Sequence, residues 1–415
     1  MLSTLEKTSQ SVQLSAPVTP IRATIHLPAS KSESNRALII NALSGNQSTL
    51  HNLSAARDTR TMLRLLESED HTLDVIDAGT TMRFLTAYVA ATGKDKILTG
   101  TPRMCERPIA LLVDALRKLG AQIDYLQNEG FPPIHSKGIQ PTGVNQVSIR
   151  GDVSSQYISA LVMIAPLLPN GLTLELTGHV GSKPYIQMTL EQMRQFGVES
   201  EWQGNTIVVK PQNYKSTEYT VESDWSGASY WYSIVALAPD AEVELIGLKE
   251  HSLQGDSRIT EIMEKIGVQS SFTASGVRLT KGPVQQSVQV DFADCPDLAQ
   301  TVAVCCAAKN IHLTLTGIES LKIKETDRVF ALQQELAKFG ATLQEVAPER
   351  YETTPIQPQS GRKAEIHTYD DHRMAMAFAP LALLEPITLE HPHVVVKSYP
   401  SFWQDLEKAG FKVLS

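Results

Sequence analysis

Five stretches of the chain share one pattern of apolar and polar positions and one ending. In each, apolar residues recur at i, i+3, i+4 and i+7, which is typical of an amphipathic helix. Each stretch then stops at a glycine, the residue favoured just after a helix C-terminus. The stretches are LVDALRKLGAQI, LEQMRQFGVES, ITEIMEKIGVQS, LQQELAKFGATL and FWQDLEKAGFKV, with the glycines Gly120, Gly197, Gly267, Gly340 and Gly410. Their spacing of 70 to 77 residues indicates a repeated unit, and TRTMLRLLESED is a degenerate sixth copy without the glycine.

A second set of segments alternates with the first and is apolar on nearly every side. A helix of that composition is buried, and each of these leads through a short turn into a strand-like run such as LTLELTG. The segments are NRALIINAL, MRFLTAYVAA, YISALVMIAPLL, SYWYSIVALA, LAQTVAVCCAA and RMAMAFAPLALL. Self-similarity at a fixed spacing is the signature of stacked supersecondary units. The sequence therefore predicts an α/β fold of six helix–strand–helix–strand units, with buried helices inside and sheets around them.

Length and charge narrow the classes of function. A chain of 415 residues suggests two or three domains. A net charge of -8 provides no global basic field for nucleic acid or anionic lipid, so an anionic ligand needs locally clustered cations. The four cysteines form no CxxC pair, which fits a reducing compartment. With no signal-peptide pattern and no apolar run of the ~20 residues that span a membrane, we expect a cytoplasmic protein.

Cationic residues gather where the buried helices are predicted to begin. Small residues in openings such as SKSESNR and DAGTTMR leave first-turn N–H groups free to bind anions. Arginines fall near these first turns, at Arg36, Arg83, Arg328 and Arg373, and Arg107 precedes the proline that is expected to open its helix. A single arginine of this kind would be read as a solvated side chain. Repetition across the units favours a shared anion site.

The SKSESNR segment has the side chains that a phosphate site needs. Ser32 and Arg36 are four residues apart and share a helix face, as do Lys31 and Asn35. A lysine, an arginine fork and hydroxyls together suit a phosphate. The chain has no GxxxxGK[ST], GxGxxG or HExxH motif and no Cys/His cluster. We therefore expect no nucleotide triphosphate, no dinucleotide, no metal and no other cofactor.

The motifs as an ordered set resemble those of one enzyme family. PASKSESNRA, DAGTTMRF, PRMCERP, VSSQ, SKPY, CPD, KETDR, DDHRMAM and KSYPSF together resemble the 5-enolpyruvylshikimate-3-phosphate synthases, which are enolpyruvyl transferases, from about residue 20 onward. The resemblance implies a two-domain inside-out α/β barrel with three units per domain and substrates in the interdomain cleft. Residues 30–222, with KSxSNR, DAGT and SSQ, would form one domain. Residues 1–29 and 223–415, with CPD, KETDR and DHR, would form the other.

The resemblance also implies a reaction and a set of site residues. The family transfers the enolpyruvyl group of phosphoenolpyruvate to the 5-hydroxyl of shikimate 3-phosphate and releases phosphate, in the shikimate pathway of aromatic amino acid biosynthesis. The implied shikimate 3-phosphate side comprises Lys31, Ser32, Arg36, Ser154, Ser155, Ser182, Tyr185, Ser320 and Lys324. The implied phosphoenolpyruvate side comprises Lys31, Asp77, Gly79, Arg107, Gln156, Arg328, Arg373 and Lys397. Lys31 is also expected to be catalytic, Asp297 to bind substrate and accept the hydroxyl proton, and Glu325 to protonate the methylene carbon.

The negative charges of the two substrates independently explain why these residue types are needed. Each phosphate carries about -1.5 to -2 charges at neutral pH, and each substrate adds a carboxylate. Binding both therefore takes about five or six compensating charges, and an acidic chain must gather them locally. The candidate cations are Lys31, Arg36, Arg107, Lys324, Arg328, Arg373 and Lys397.

Four positions depart from the commoner family pattern and bear on affinity more than on reaction. Asp77 and Ser320 stand where asparagines are usual, Phe84 where proline is frequent, and Asp370 where asparagine is usual. A carboxylate at Asp77 beside an anionic substrate needs a cationic partner such as Arg107 or Arg83, or a proton.

Two alternatives stay open at this point. One is the sister enolpyruvyl transferase of UDP-N-acetylglucosamine, whose reactive cysteine lies further upstream of the Arg-Pro pair than Cys105 does here. The other is a non-catalytic anion-binding relative, which would not require both Asp297 and Glu325. In either case we expect a monomer with small-molecule partners and without nucleic acid or membrane.

Overall fold

The structure is a computed structural model that describes residues 10–152, 154–357, 359 and 364–414. The chain divides into two compact units, the central unit Ala29–Val221 and the terminal unit Met1–Pro28 with Glu222–Ser415. The chain thus leaves the terminal unit once and returns to it once. The assignment of domain boundaries by family resemblance stays a prediction.

The helices of the described residues are α1 (Lys31–Leu43), α2 (Arg57–Glu67), α3 (Gly79–Ala91), α4 (Pro102–Cys105), α5 (Ala110–Lys118), α6 (Ser155–Ile164), α7 (Lys183–Gln195), α8 (Trp225–Leu237), α9 (Ile259–Ile266), α10 (Ala299–Ala308), α11 (Arg328–Ala337), α12 (His372–Phe378) and α13 (Phe402–Lys408). Short 3₁₀ helices span Ala165–Leu167, Gly255–Arg258, Pro296–Leu298, Glu319–Ile323, Ala379–Leu383 and Pro392–Lys397.

The strands are β1 (Ser11–Ser15), β2 (Ile21–His26), β3 (Thr49–His51), β4 (Thr72–Asp74), β5 (Lys96–Thr99), β6 (Ala121–Tyr125), β7 (Ile134–Ile139), β8 (Gln146–Arg150), β9 (Leu172–Thr177), β10 (Ser200–Gln203), β11 (Thr206–Val209), β12 (Glu218–Thr220), β13 (Ala241–Ile246), β14 (Val268–Phe272), β15 (Gly276–Lys281), β16 (Ser287–Asp291), β17 (His312–Thr316), β18 (Leu343–Ala347), β19 (Arg350–Thr353), β20 (Ala364–Ile366), β21 (Ile387–Glu390) and β22 (Lys412–Leu414).

The six all-apolar segments form helices at the centre of the two cores, as predicted. Helices α1, α3 and α6 pack against one another in the central unit, and α8, α10 and α12 do so in the terminal unit. In α10 every residue from Ala299 to Ala307 is buried. A helix that is apolar all round reaches its free-energy minimum with neighbours on every side, which is why these segments lie inside.

The amphipathic helices α5, α7, α9, α11 and α13 are also confirmed, together with their glycine stops. The five glycines have positive φ values between 70° and 107°, the left-handed region that glycine adopts without steric cost. At Gly120 the backbone also approaches closely, because an added Cβ would lie 2.0 Å from the carbonyl oxygen of Gln140. The degenerate copy, α2, lacks this stop and continues at Ser68 in extended conformation.

Each four-stranded sheet among the described residues has the same strand order. In the sheet β4-β5-β7-β6, parallel strands β4 and β5 are joined across the buried helix α3, and β7 and β6 follow as antiparallel neighbours. Parallel neighbours need such a crossover, which the buried helix supplies. The other sheets are β8-β9-β11-β10, β2-β13-β15-β14, β16-β17-β19-β18 and β20-β21-β1-β22. Each of these sheets has four strands, two more than the sequence repeat predicts.

Several strands come from distant parts of the chain. Strand β1 lies between β21 and β22, with Val12 opposite Leu389 and Leu14 opposite Val413. Strand β2 pairs with β13 although the whole central unit lies between them in the sequence. Within the central unit, β12 pairs in parallel with β3. Thus the degenerate repeat, with only α1, β3 and α2, is completed by a strand near residue 220.

Cys105, Cys295, Cys305 and Cys306 are all free, and the last three are buried. In the part of the chain that the structure describes, no helix combines the length and apolarity needed to cross a membrane.

Candidate active site

In the central unit, the buried helices α3 and α6 begin next to each other. Gln156 in the first turn of α6 donates from Nε2 to Thr80 Oγ1 in the first turn of α3, at 2.9 Å. Ser154 caps α6, its Oγ accepting from the Gln156 N–H at 3.3 Å, and Ser155 is the first helical residue. Four predicted site residues, including Gly79 at the start of α3, therefore lie where helix N–H groups favour anions.

Arg107 lies against Gly79 with no acidic partner. An added Cβ at Gly79 would be 2.8 Å from Arg107 Nη1, so only glycine lets the guanidinium approach this closely. The side chain is buried, its Nε has no hydrogen-bond partner, and no carboxylate among the described residues pairs with it. Because a buried cation without an anion is unfavourable, this arrangement favours binding of an anion.

The prediction that Arg107 stands at a helix start was wrong in detail. Helix α5 begins at Ala110, so Arg107 and Pro108 belong to the turn that follows α4. Arg83 holds this turn in place, donating from Nη1 to the Gly79 carbonyl and from Nη2 to the Pro108 carbonyl, both at 3.1 Å. Arg83 therefore positions both sides of the Arg107 pocket.

Arg36 is buried among neutral partners. It donates from Nε to Thr189 Oγ1 at 2.7 Å, from Nη2 to Ser159 Oγ at 3.1 Å and from Nη1 to the Ser32 carbonyl at 2.9 Å. The guanidinium carbon lies 5.3 Å from the ring centroid of Phe84 and 5.9 Å from that of Tyr185. Burial lowers the pKa of Arg36 to about 10, so it stays charged at neutral pH.

Phe84, one of the four departures, thus has a structural reason, since its ring provides a cation–π contact to Arg36. Tyr185 shares that contact and stands in the first turn of α7. Just before α7, Ser182 has φ +53°, an uncommon conformation for a residue other than glycine. Such backbone strain concentrates at functional sites.

Two carboxylates of the central unit have cationic partners. Lys31, the first residue of α1, bonds from Nζ to Asp58 Oδ2 at 3.1 Å. Asp77 is bound through both oxygens by Arg57 Nη2, at 2.9 and 2.7 Å, a partner that the sequence did not suggest. Asp77 does not cap its helix, whose N-cap is Ala78.

In the terminal unit, five predicted residues form a chain of alternating charges. Lys397 Nζ lies 3.1 Å from Glu325 Oε1, and Glu325 Oε2 lies 3.0 Å from Arg328 Nη2. Arg328 Nη1 then lies 3.0 Å from Asp297 Oδ1, and Asp297 Oδ2 lies 2.8 Å from Arg373 Nη2. Each of the two carboxylates is therefore held between two cations.

The same ion pairs shift the pKa values of Asp297 and Arg328. Burial opposes the charged form of Asp297, but Arg373, Lys324 and Arg328 outweigh it and lower the pKa of that carboxyl well below its usual range. For Arg328, burial is likewise outweighed by Asp371, Glu325 and Asp297, which raise the pKa of the guanidinium. Both groups are ionised at neutral pH.

Asp371 is a residue of this site whose role sequence reasoning missed. It is fully buried at the N-cap of α12. Its carboxylate accepts hydrogen bonds from Arg328 Nε at 2.6 Å and from the backbone N–H of Arg373 at 2.9 Å. In the sequence it reads only as a helix-capping residue of the DDHR segment. Its position fixes both arginines of the charge chain.

Asp256 was missed altogether. It is buried in the 3₁₀ helix Gly255–Arg258, where its Oδ2 accepts from the hydroxyl of Ser226, and its Oδ1 has no hydrogen-bond partner among the described residues. Burial and the nearby charge of Asp297 raise its pKa to about 7, although Arg373 opposes the shift. No periodic or motif signal marks this position.

Two further predicted residues lie in, or directly after, the 3₁₀ helix Glu319–Ile323. Ser320 is exposed in the 3₁₀ helix Glu319–Ile323, and no hydrogen bond or ion pair within the described ranges ties it to the network. Lys324 follows that helix in extended conformation and influences Asp297 through its charge. The prediction that Ser320 contacts substrate stays a prediction.

The arrangement can therefore do two things chemically. Cations at the helix starts of the central unit are suited to bind phosphate and carboxylate groups. Carboxylates between cations in the terminal unit are suited to move protons beside bound anions. Fold and site together define a two-unit α/β protein of the kind that binds anionic substrates and catalyses a reaction between them.

The family model described as EPSP synthase (3-phosphoshikimate 1-carboxyvinyltransferase) matches residues 15–70 and 65–406. The chain belongs to the EPSP synthase family. This confirms the family identification made from the sequence motifs.

Curated relatives agree with the family, and a solved structure agrees with the fold. A 3-phosphoshikimate 1-carboxyvinyltransferase of Bacteroides fragilis (strain YCH46) is 51% identical over 409 residues, covering 96% of this chain and 98% of the relative. One from Citrobacter koseri is 39% identical over 422 residues, covering 94% and 97%. EPSP synthase from Acinetobacter baumannii is 20% identical with a TM-score of 0.78, covering 98% of this chain and 100% of that chain. This last likeness supports the two-domain α/β fold alone.

Proposed function

We infer that this chain is a 3-phosphoshikimate 1-carboxyvinyltransferase. It transfers the carboxyvinyl group of phosphoenolpyruvate to the 5-hydroxyl of shikimate 3-phosphate and releases phosphate, in the shikimate pathway. Family membership and the 51% identical relative support the reaction. The observation that carries the assignment is the charge chain, in which Asp297 and Glu325 each lie between two cations. A protein that merely binds anions would not require both carboxylates there.

The central unit contributes affinity for the anionic groups in this proposal. Arg107 has no acidic partner among the described residues, so its N–H groups are available to phosphoenolpyruvate. Arg36 forms no ion pair with a described residue, so its charge is available to shikimate 3-phosphate, supported by Ser32 and by the first turn of α6. Charge-assisted hydrogen bonds of this kind are the strong ones.

The terminal unit contributes the proton transfers. An anion that binds Arg373 and Arg328 competes with Asp297 for their donors, and its negative charge raises the pKa of Asp297. The carboxylate therefore becomes a better base only when substrate is bound. The same competition for Lys397 and Arg328 raises the pKa of Glu325 and favours the protonated form that can act as an acid.

The reaction balances with these two groups. In the addition, Asp297 takes the proton of the 5-hydroxyl, and the hydroxyl oxygen bonds to the phosphate-bearing carbon of phosphoenolpyruvate. Glu325 protonates the methylene carbon, which becomes a methyl group. In the elimination, Glu325 takes one methyl proton back, the carbon–oxygen bond to phosphate breaks, and the proton held by Asp297 leaves with the phosphate. No metal or other cofactor takes part in either step.

Phosphate release from phosphoenolpyruvate tests the proposal. Purified protein without added metal should release phosphate only when shikimate 3-phosphate is also present, with UDP-N-acetylglucosamine as the control acceptor. Turnover with the nucleotide sugar and none with shikimate 3-phosphate would assign the chain to the sister transferase. Binding of both substrates without turnover would favour the non-catalytic alternative.

We propose further that the protein acts in the cytoplasm as a monomer on these two small molecules. The free, mostly buried cysteines support a reducing compartment. Light scattering on the purified chain tests the monomeric state, and a dimer mass would contradict it.

A further inference from the structure

Three potential metal ligands meet on the solvent side of the sheet β4-β5-β7-β6. His71 immediately precedes β4, Asp95 precedes β5, and His135 is the second residue of β7. The register places Ile97 opposite both Thr72 and His135, so the three strands are direct neighbours at this level. Asp95 is two residues before Ile97 and shares its face of the strand, which brings its carboxylate to the two imidazoles.

The donor atoms are already close to the spacing that a metal ion requires. Asp95 Oδ1 lies 3.2 Å from His71 Nε2 and 2.6 Å from His135 Nε2, and the three ligand atoms lie within 4.8 Å of one another. Tetrahedral Zn²⁺ with bonds of about 2.0–2.1 Å separates its ligand atoms by about 3.3–3.4 Å. The contact between His135 and Asp95 has to lengthen, and the two imidazole nitrogens already lie within 4.8 Å of each other, so side-chain rotations can provide the adjustment.

The backbone that carries the first histidine is held firmly. Lys96 is buried and donates from Nζ to the carbonyls of Glu69 at 2.9 Å and Asp70 at 2.6 Å. The Ile97 N–H donates to the His71 carbonyl at 2.8 Å. Residues on both sides of the ligand position are therefore tied to β5, and a preorganised ligand loses less conformational entropy on binding.

We propose that His71, Asp95 and His135 form a binding site for a divalent transition metal of the Zn²⁺ type. Two imidazoles and one carboxylate suit Zn²⁺, Cu²⁺ or Ni²⁺ and not Mg²⁺ or Ca²⁺, which prefer oxygen ligands throughout. Water takes the remaining coordination position, since His71 and Asp95 are exposed. None of the three residues belongs to the proposed catalytic machinery, so the metal stabilises the central unit by joining three strands.

The sequence carried no signal for this site. Asp95 is separated by 24 residues from His71 and by 40 residues from His135, and no zinc motif has such spacings. The expectation of no metal was drawn from such motifs alone. Strand pairing is what brings the three residues together.

Isothermal titration of the metal-free full-length chain with ZnCl₂ tests the proposal. One equivalent of Zn²⁺ should bind, and His71→Ala or His135→Ala should each weaken binding by at least about tenfold, the scale on which disturbed zinc sites lose affinity. His51→Ala is the matched control, because His51 is similarly exposed and pairs with the single carboxylate of Glu218. It should bind Zn²⁺ like the unaltered chain.

Thermal unfolding provides a second readout that does not depend on turnover. Zn²⁺ should raise the Tm of the unaltered chain and leave that of the double variant His71→Ala/His135→Ala unchanged. Phosphate release should be the same for both proteins. Absence of Zn²⁺ binding, or equal binding by the double variant, would overturn the proposal and leave Asp95 as a hydrogen-bonding partner shared by two histidines.

Discussion

The two units give the arginines of their candidate site residues different partners. In the central unit, Arg36 donates to two hydroxyls and a carbonyl, and Arg107 has no hydrogen-bond partner at Nε. In the terminal unit, Arg328 bonds three carboxylates and Arg373 bonds one. No carboxylate of the described residues lies within ion-pair distance of Arg36 or Arg107.

This difference separates two tasks that a reaction between anions requires. An uncompensated buried cation stores unfavourable desolvation energy, which an incoming anion relieves. A compensated cation instead orients its carboxylates and keeps them ionised, as in the chain from Lys397 to Arg373. We therefore assign anion affinity mainly to the central unit and proton transfer mainly to the terminal unit.

The largest effect should come from removing proton-transfer capacity in the terminal unit. Asp297→Asn and Glu325→Gln keep side-chain size, so kcat should fall by about 10²–10⁴-fold, the usual scale for general acids and bases. Substrate affinity, measured by titration calorimetry, should change far less. Asp240→Asn, which removes an exposed ion pair with Arg22, is the control. A variant that kept near-normal kcat would lose its assigned role.

Stability should distinguish the two kinds of arginine. Arg328→Met leaves three carboxylates without their shared partner, and breaking a buried ion pair costs about 3–5 kcal/mol. Arg107→Met removes a cation that has no acidic partner, so it should not lower the Tm, whereas KM for phosphoenolpyruvate should rise. Calorimetric unfolding of the two variants checks this. Equal loss of stability in both would contradict the comparison.

A pH-dependent effect is expected from Asp256. Asp297, Arg373 and Asp224 face this carboxyl, and its pKa is about 7 when folded against 3.8 ordinarily. Between these values the unfolded chain loses the proton that the folded chain keeps, so the free energy of unfolding falls as pH rises. Asp256→Asn cannot ionise and should therefore gain in Tm relative to the unaltered chain from pH 5 to pH 8.

The Asp240→Asn control should show no such trend. A constant difference in Tm between Asp256→Asn and the unaltered chain across this range would mean that Asp256 has the same ionisation in both states.

The smallest effect is expected at Asp77 in the central unit. Its ion pair with Arg57 is partly exposed, and such pairs contribute about 0–1 kcal/mol. Asp77→Asn removes a negative charge from the proposed phosphoenolpyruvate side and frees Arg57, so KM for that substrate should fall. We expect a fall of less than about tenfold, which is below the full 1.5–3 kcal/mol that a hydrogen bond to a charged group contributes. Asp124→Asn, which breaks the exposed pair with Lys137, is the matched control. A rise in KM would show that Asp77 organises Arg57 for binding.

Local pattern was enough to predict the buried and amphipathic helices of this fold, although not the two further strands of each sheet. A helix that is apolar on all sides is stable in the protein interior. A glycine after an amphipathic helix marks the point where the helix ends in the left-handed conformation, as Gly267 with φ 107° illustrates. Repetition then turned these local signals into an architecture. The ordered motifs also named the candidate site residues, whose roles stay predictions. Many of them stand at or near the start of an element.

Partners across the fold could not be read in the same way. The insertion of β1 between β21 and β22 depends on pairings nearly 400 residues apart, for which periodicity carries no information. The pairing of Asp77 with Arg57 depends on how α2 packs against α3, a tertiary contact. Asp256 is buried in a 3₁₀ helix, and no hydrophobic periodicity or sequence motif indicates that its carboxyl group lies inside.

The placement of β1 has a consequence for how the protein is made on the ribosome. The central unit is one continuous stretch, Ala29–Val221, and can fold while synthesis continues. Strand β1 must wait for β21 and β22, the last strands to emerge, because Leu14 pairs with both Ile387 and Val413. We expect a nascent chain halted after Gly267 to yield a protease-resistant central fragment, while its N-terminal residues stay cleavable until the chain is complete.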